Sequence, residues 1–239
     1  MHFFLLGATG RTGKQLVSEL LSQNHTAIAL VRNSASITPQ PGLTIVTGSP
    51  LSKDDIRSAL KATPGQLPVA AIMTLNAVRK SDSPFAAPLS PPRFLADSCA
   101  NACEVLKEVG ISRFVVMSTA GVGDSWAQLP LLSRAFMGLT NVKYALEDHG
   151  LLDEEIRQTS LDWTLVRAVR LEYDNANKEG METLGSAGVR MTMSDRASIG
   201  SVAKFLVRVA VEGLFVKEAV VVRDCRDSEL ILERLGCGF

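Results

Sequence analysis

The stretch "FFLLGATGRTGKQL" at residues 3–16 narrows the possible folds more than any other part of the chain. An apolar run ends abruptly in three glycines spaced three apart, Gly7, Gly10 and Gly13. A helical pattern with Val17, Leu20 and Leu21 on one face begins at once. A strand that turns so sharply into a helix uses its first glycine for the turn itself. The second lets backbone approach an anion, and the third lets helix and sheet touch. Amide N–H groups and the helix dipole at such a start favour a pyrophosphate. Gly7, Thr9, Gly10, Arg11, Thr12 and Gly13 are therefore expected to bind a dinucleotide.

The rest of the chain repeats the alternation that this turn begins. Short apolar runs predict strands at His2–Leu6, Ala27–Val31, Leu43–Val46, Val69–Thr74, Phe114–Ser118, Trp163–Val166 and Ala219–Val222. Between them, helical periodicity predicts Arg11–Ser22, Lys53–Leu60, Phe94–Val109, Lys143–Thr159 and Ser198–Val211. Such alternation predicts an α/β fold, a doubly wound parallel sheet with helices on both faces. With no repeats and no linker, residues 1–239 read as one domain. Two segments break the rhythm, the proline-rich residues 78–93 and the polar, glycine-bearing residues 171–195. Both come after strands, so both are expected to wall a substrate pocket beyond the carboxyl ends of the sheet.

Composition excludes several function classes. Basic and acidic residues balance at 25 each, so no net field draws the chain to nucleic acid or an anionic membrane. No apolar run reaches the roughly 20 residues of a membrane span. The apolar N-terminus lacks a basic leader and reads as a core strand. Cys99 and Cys103 share a helix face, Cys225 and Cys237 lie far away, and no CxxC or metal-ligand spacing occurs. Reduced thiols and a cytoplasmic setting are expected, with no metal. Oligomeric state is left open.

The second predicted strand bears on which dinucleotide is bound. An NAD site carries Asp or Glu about 20 residues past the glycines to hold the ribose 2′-hydroxyl. Between Glu19 and Asp54 this chain has no acidic residue, and "ALVRNSAS" supplies Arg32, Ser34 and Ser36 instead. Arg11, inside the turn, is placed to reach the same group from the other side. Guanidinium forks suit a 2′-phosphate, so NADP(H) is the expected cofactor. Thr74, Leu75 and Asn76, after the fourth strand, are expected beside the adenosine–ribose path.

"GATGRTGKQLV", "LVRN", "RFVVMSTAGVG" and "DHGLLDEEIRQTSLDWTLVRAVRL" resemble the atypical short-chain dehydrogenase/reductase superfamily, its NmrA-like and biliverdin reductase B (flavin reductase) types above all. The resemblance covers about residues 1 to 210 and implies a Rossmann fold, NADP binding and a small or aromatic substrate over the nicotinamide. It implies that Ser118 and Thr119, ending the fifth strand, bond substrate or cofactor. His149 matches the position where relatives carry a catalytic lysine. As a neutral imidazole it would bond the nicotinamide ribose, and near pH 7 it would donate a proton. Gly150 is expected to weaken the helix just after it. Relatives read "VRP" where this chain has Arg167 and Ala168, which frees the next loop. Arg167 is expected to bond carbonyls or a carboxylate, Arg170 to meet an acidic or phenolate substrate, and Trp163 to pack in the core.

Most short-chain dehydrogenases use Tyr-x-x-x-Lys, the lysine lowering the tyrosine pKa. Here Asp148 follows Tyr144 by four residues and Asn177 follows Tyr173 by four, so the pair is absent. Tyr144 stays as a fallback acid beside Ser118 and His149. The expected function is an NADPH-dependent reductase of a ketone, enone or extended aromatic small molecule, with secondary metabolism as one setting. A non-redox isomerase or cyclase on the same fold, and a non-catalytic NADP sensor, are the alternatives.

Overall fold

The computed structural model describes residues 1–173 and 180–225. Strand β1 (His2–Leu6) leads into helix α1 (Arg11–Ser22), then β2 (Thr26–Val31), β3 (Leu43–Thr47), α2 (Lys53–Leu60) and β4 (Ala70–Met73). The second half begins with α3 (Phe94–Val109), β5 (Arg113–Thr119), α4 (Leu131–Leu139), α5 (Val142–Ile156) and β6 (Asp162–Ala168). It ends with β7 (Leu171–Glu172), β8 (Met181–Thr183), β9 (Ala197–Ser198), α6 (Ile199–Glu212) and β10 (Glu218–Asp224).

Eight strands form one sheet in the order β3-β2-β1-β4-β5-β6-β10-β8, parallel except where β8 runs against β10. Strands β7 and β9 pair separately. The order reverses between β1 and β4, which opens a crevice at their carboxyl ends. This is the Rossmann-type α/β fold.

Period-two alternation along each strand sends side chains to opposite layers. Phe3 and Leu5 pack with Leu16, Val17 and Leu20 of α1 and with Val202 and Leu206 of α6. Phe4 and Leu6 pack with Ile56 of α2, Leu95 and Leu106 of α3, and Leu152 and Ile156 of α5. At the amino edge, Arg113 is buried and donates to the carbonyls of Asp162, Val209 and Leu214 at 2.7, 3.0 and 2.7 Å. That guanidinium ties the starts of two strands to the end of α6.

Four departures from the sequence reading have physical causes. Helix α5 runs unbroken through Gly150, because packing against α3 outweighs the propensity cost of one glycine. Helix α4 was not predicted, since none of its residues is buried and its pattern points to no core. Residues 78–93 are less irregular than their prolines suggest. Leu89 N–H donates to the Val78 carbonyl and Lys80 N–H to that of Ala87, folding the segment back on itself. Within 171–195, three-residue β8 is too short to carry a period of its own and owes its place to β10.

Candidate active site

Gly7 has φ +95°, and a Cβ there would lie 2.6 Å from the Thr74 carbonyl carbon. Strand β4 passes that close because Thr74 N–H donates to the Leu6 carbonyl at 2.8 Å. At Gly13 a Cβ would lie 2.1 Å from the Gly7 carbonyl oxygen, so α1 rests directly on the turn. Gly10 differs: a Cβ there would meet only the Gly7 oxygen at 3.3 Å and, at 4.0 Å, that of Thr74. Gly10 is also the N-cap of α1, which has no side-chain cap and no acidic residue in its first turn. The first N–H groups of a helix have no partner within it. Here they point out of a positive, uncapped end beside the β1–β4 crevice, which fits a pyrophosphate.

Thr9 is half-buried at this turn, Thr12 is buried, and Thr74 donates to the Gly7 carbonyl at 3.3 Å. Leu75 and Asn76 come next along the same crevice, half-buried and exposed respectively. Arg32 is exposed at the end of β2, next to the 3-10 turn Ser34–Ser36, where the Asn33 side chain accepts from Ala35 N–H. Arg11 faces the other way. Its Nη2 binds Asp82 at 2.7 Å, and its guanidinium lies 4.2 Å over the Tyr173 ring. Asp82 lies beyond β4 and Tyr173 beyond β7, so Arg11 is bound by both irregular segments.

At the carboxyl end of β5 the sheet face toward α3 and α5 changes from apolar to polar. Phe114, Val116 and Ser118 occupy successive positions on this face, and Trp163, Leu165 and Arg167 do so on β6. Ser118 Oγ lies 3.4 Å from His149 Nδ1, and both side chains are buried. Burial pushes the imidazole down to about 4, against a smaller upward pull from Asp153. His149 is therefore neutral at pH 7. That leaves it the neutral imidazole of the first expectation, with one N–H to share, and not an imidazolium that gives up a proton near pH 7. It is suited instead to orient the Ser118 hydroxyl.

Tyr144 is half-exposed on α5, with the Lys143 ammonium 5.2 Å over its ring. Asp148, where the usual lysine would stand, is buried and accepts from Leu95 and Ala96 N–H at 2.8 and 3.0 Å. It caps α3, whose own N-cap Arg93 is left-handed at φ 59° and supplies no side-chain cap. Arg167 is fully buried, bound to Asp124, to Asp153 at 2.5 Å and to the Ser186 carbonyl at 2.8 Å. Carbonyl and carboxylate partners are what the sequence led one to expect of it. Thr119 donates to the Ala120 carbonyl, Arg170 is exposed, and Trp163 is in the core.

Sequence reasoning missed a set of exposed apolar side chains in the segments that follow these strands. Phe85 and Leu89 after β4, Trp126, Leu131, Leu132 and Phe136 after β5, and Val189 and Met193 after β6 are all exposed. The signal was present in "LPLLSRAFMGL", apolar residues with no buried face to serve.

Comparisons with known proteins agree with this architecture. A family profile described as NAD(P)H-binding matches residues 7–212. The chain is 25% identical over 153 residues to the photosystem II assembly factor Ycf39 of Synechocystis, covering 61% of this chain. It spans 43% of that relative's length. A chloroplastic protein of Arabidopsis thaliana is 26% identical over 221 residues, which cover 90% of this chain and 72% of that one. Among solved structures, the anaerobillin reductase ChuY of Escherichia coli O157:H7 superposes with a TM-score of 0.73 at 18% identity, over 94% of this chain and 97% of that one. A short-chain dehydrogenase/reductase of Veillonella parvula in complex with NADP gives 0.71 at 16%, over 92% and 93%.

Proposed function

Because the chain belongs to the NAD(P)H-binding family, we propose that it is an NADPH-dependent reductase of a ketone, enone or extended aromatic small molecule, working in a reducing compartment. The bound nicotinamide supplies the hydride. Gly7, Thr9, Gly10 and the N–H groups of Arg11, Thr12 and Gly13 hold the pyrophosphate, and Thr74, Leu75 and Asn76 border the adenosine side. Arg32 and Ser34 take the 2′-phosphate that an acid-free β2 leaves room for. Ser118, oriented by His149, donates a hydrogen bond to the substrate oxygen, and Arg170 meets any acidic group outside. A conjugated acceptor draws its proton from water, so neither Tyr144 nor an imidazolium is required.

The observation that carries this reading is the buried Ser118–His149 pair at the carboxyl end of β5, with exposed apolar side chains on the segments that follow β4, β5 and β6. Exposed apolar patches mark ligand grooves, and these side chains suit a flat, apolar molecule. Purified protein is expected to oxidise NADPH with at least one member of a panel of quinones, flavins and aromatic ketones. No loss of NADPH absorbance with any of them removes the reading. Arg32→Gln is expected to weaken NADPH binding about tenfold while leaving NADH unchanged, read by nucleotide fluorescence.

A non-redox isomerase or cyclase is favoured by one observation. Asp148 spends its carboxylate on the α3 cap, and His149 is uncharged. Product formed equally with NADP⁺ and NADPH, without net cofactor turnover, selects it.

A further inference from the structure

Ser118 and Arg167 are register partners on β5 and β6, so their side chains leave the same sheet face. Helix α5 covers that face and brings two groups one turn apart, His149 and Asp153. Asp153 is buried. A bare buried carboxylate beside an imidazole draws a proton into the site, onto itself or onto the ring. Both of its oxygens are instead held by cations, Oδ2 by Arg167 Nη2 and Oδ1 by Arg157 Nε, each at 2.5 Å. The other Arg167 amine binds Asp124 and the Ser186 carbonyl. Gly123, at φ +54°, lets the adjoining 3-10 turn press in: a Cβ there would lie 2.6 Å from Arg167 Nη2.

We propose that Arg167 is a positioning residue for the Ser118–His149 pair, neutralising Asp153 so that the imidazole behind Ser118 stays uncharged. The proposal rests on the reading of that pair as the polar group facing substrate. The charged group that acts on the ring is Asp153; Asp148 precedes His149 on α5, and Arg167 stands on β6 as the register partner of Ser118. Arg157 and Asp124 act at one remove, through Asp153 and Arg167. From α3 come the Leu95 and Ala96 N–H groups that already hold Asp148.

The test needs neither dinucleotide nor substrate, so it stands apart from the assay of the reaction. The chain has three histidines, His2, His25 and His149, and His149→Asn assigns the third in an imidazole NMR titration. In Arg167→Met the His149 midpoint is expected to rise from about 4 by about one pH unit or more. Arg167→Lys keeps the charge and is expected to leave the midpoint near its original value. An unmoved midpoint in Arg167→Met, or an equal rise in both variants, overturns the proposal. If Arg167→Met does not fold, Arg167→Gln takes away the same charge but keeps an amide donor for Asp153. A rise there supports the proposal, and no rise overturns it.

Discussion

His149 is neutral because it is buried, and the same burial ties its charge to the stability of the fold. Its folded pKa, about 4, lies below the ordinary 6.5. Between those values the unfolded chain binds more protons, so stability is complete above about pH 6.5 and falls as pH drops through 4. The loss amounts to about 3 kcal/mol by the low end of that window. His2, pushed down chiefly by its own burial, works in the same direction. Urea unfolding at pH 7.5, 6 and 5 should show falling stability, and His149→Asn should flatten the slope. Stability that rises on acidification across that window would contradict the assignment. The family resemblance identified His149 as a position of interest; its protonation state depended on which helix face meets β5, and that is a tertiary fact.

Two helices carry consequences of their own. Helix α3 begins without a local cap and borrows one from Asp148, more than fifty residues on. Asp148→Ala should cost about 1–2 kcal/mol, the usual worth of a capping group, seen as a lower denaturant midpoint with little change in dinucleotide affinity. Helix α4 makes the opposite prediction. Because Leu131 and Leu132 are exposed, changing both to Ser should leave stability within about 0.5 kcal/mol while raising KM for an apolar substrate several-fold. A fall in stability beyond that would mean the face is packed and not free for a ligand. The seven parallel strands of the main sheet, α1 and α2 were legible because core burial imposes a period on them. Helix α4, the Asp148 cap and the Asp153–Arg167 pair were not, since none comes from periodicity and each joins segments distant in sequence. The glycine turn was legible for a local reason: each of its glycines answers to an atom within the same strand–turn–helix unit or on β4. The partners of Arg11 were not legible, because the chain on either side of it does not reveal Asp82 or Tyr173.

Across the whole molecule, the parallel sheet gathers its ligand-facing groups at one edge. The uncapped start of α1 and the Ser118–His149 pair both lie at the carboxyl ends of strands. A dinucleotide held there bridges both halves of the sheet and binds only the folded state. At a hundred times its Kd it should add about 2.7 kcal/mol, which for a chain of this length raises Tm by about 5–10 °C. A thermal scan with and without NADPH reads this directly, and an unchanged Tm at saturation would deny binding at that edge.

Arg113 sits at the other end of the same strands, its guanidinium spent on the carbonyls of Asp162, Val209 and Leu214. Strands β5 and β6 are thus tied down where they start, and the long connections leave from where they stop. A lineage built on such strands can exchange one substrate for another by altering the loops at their free ends, without learning again how to fold.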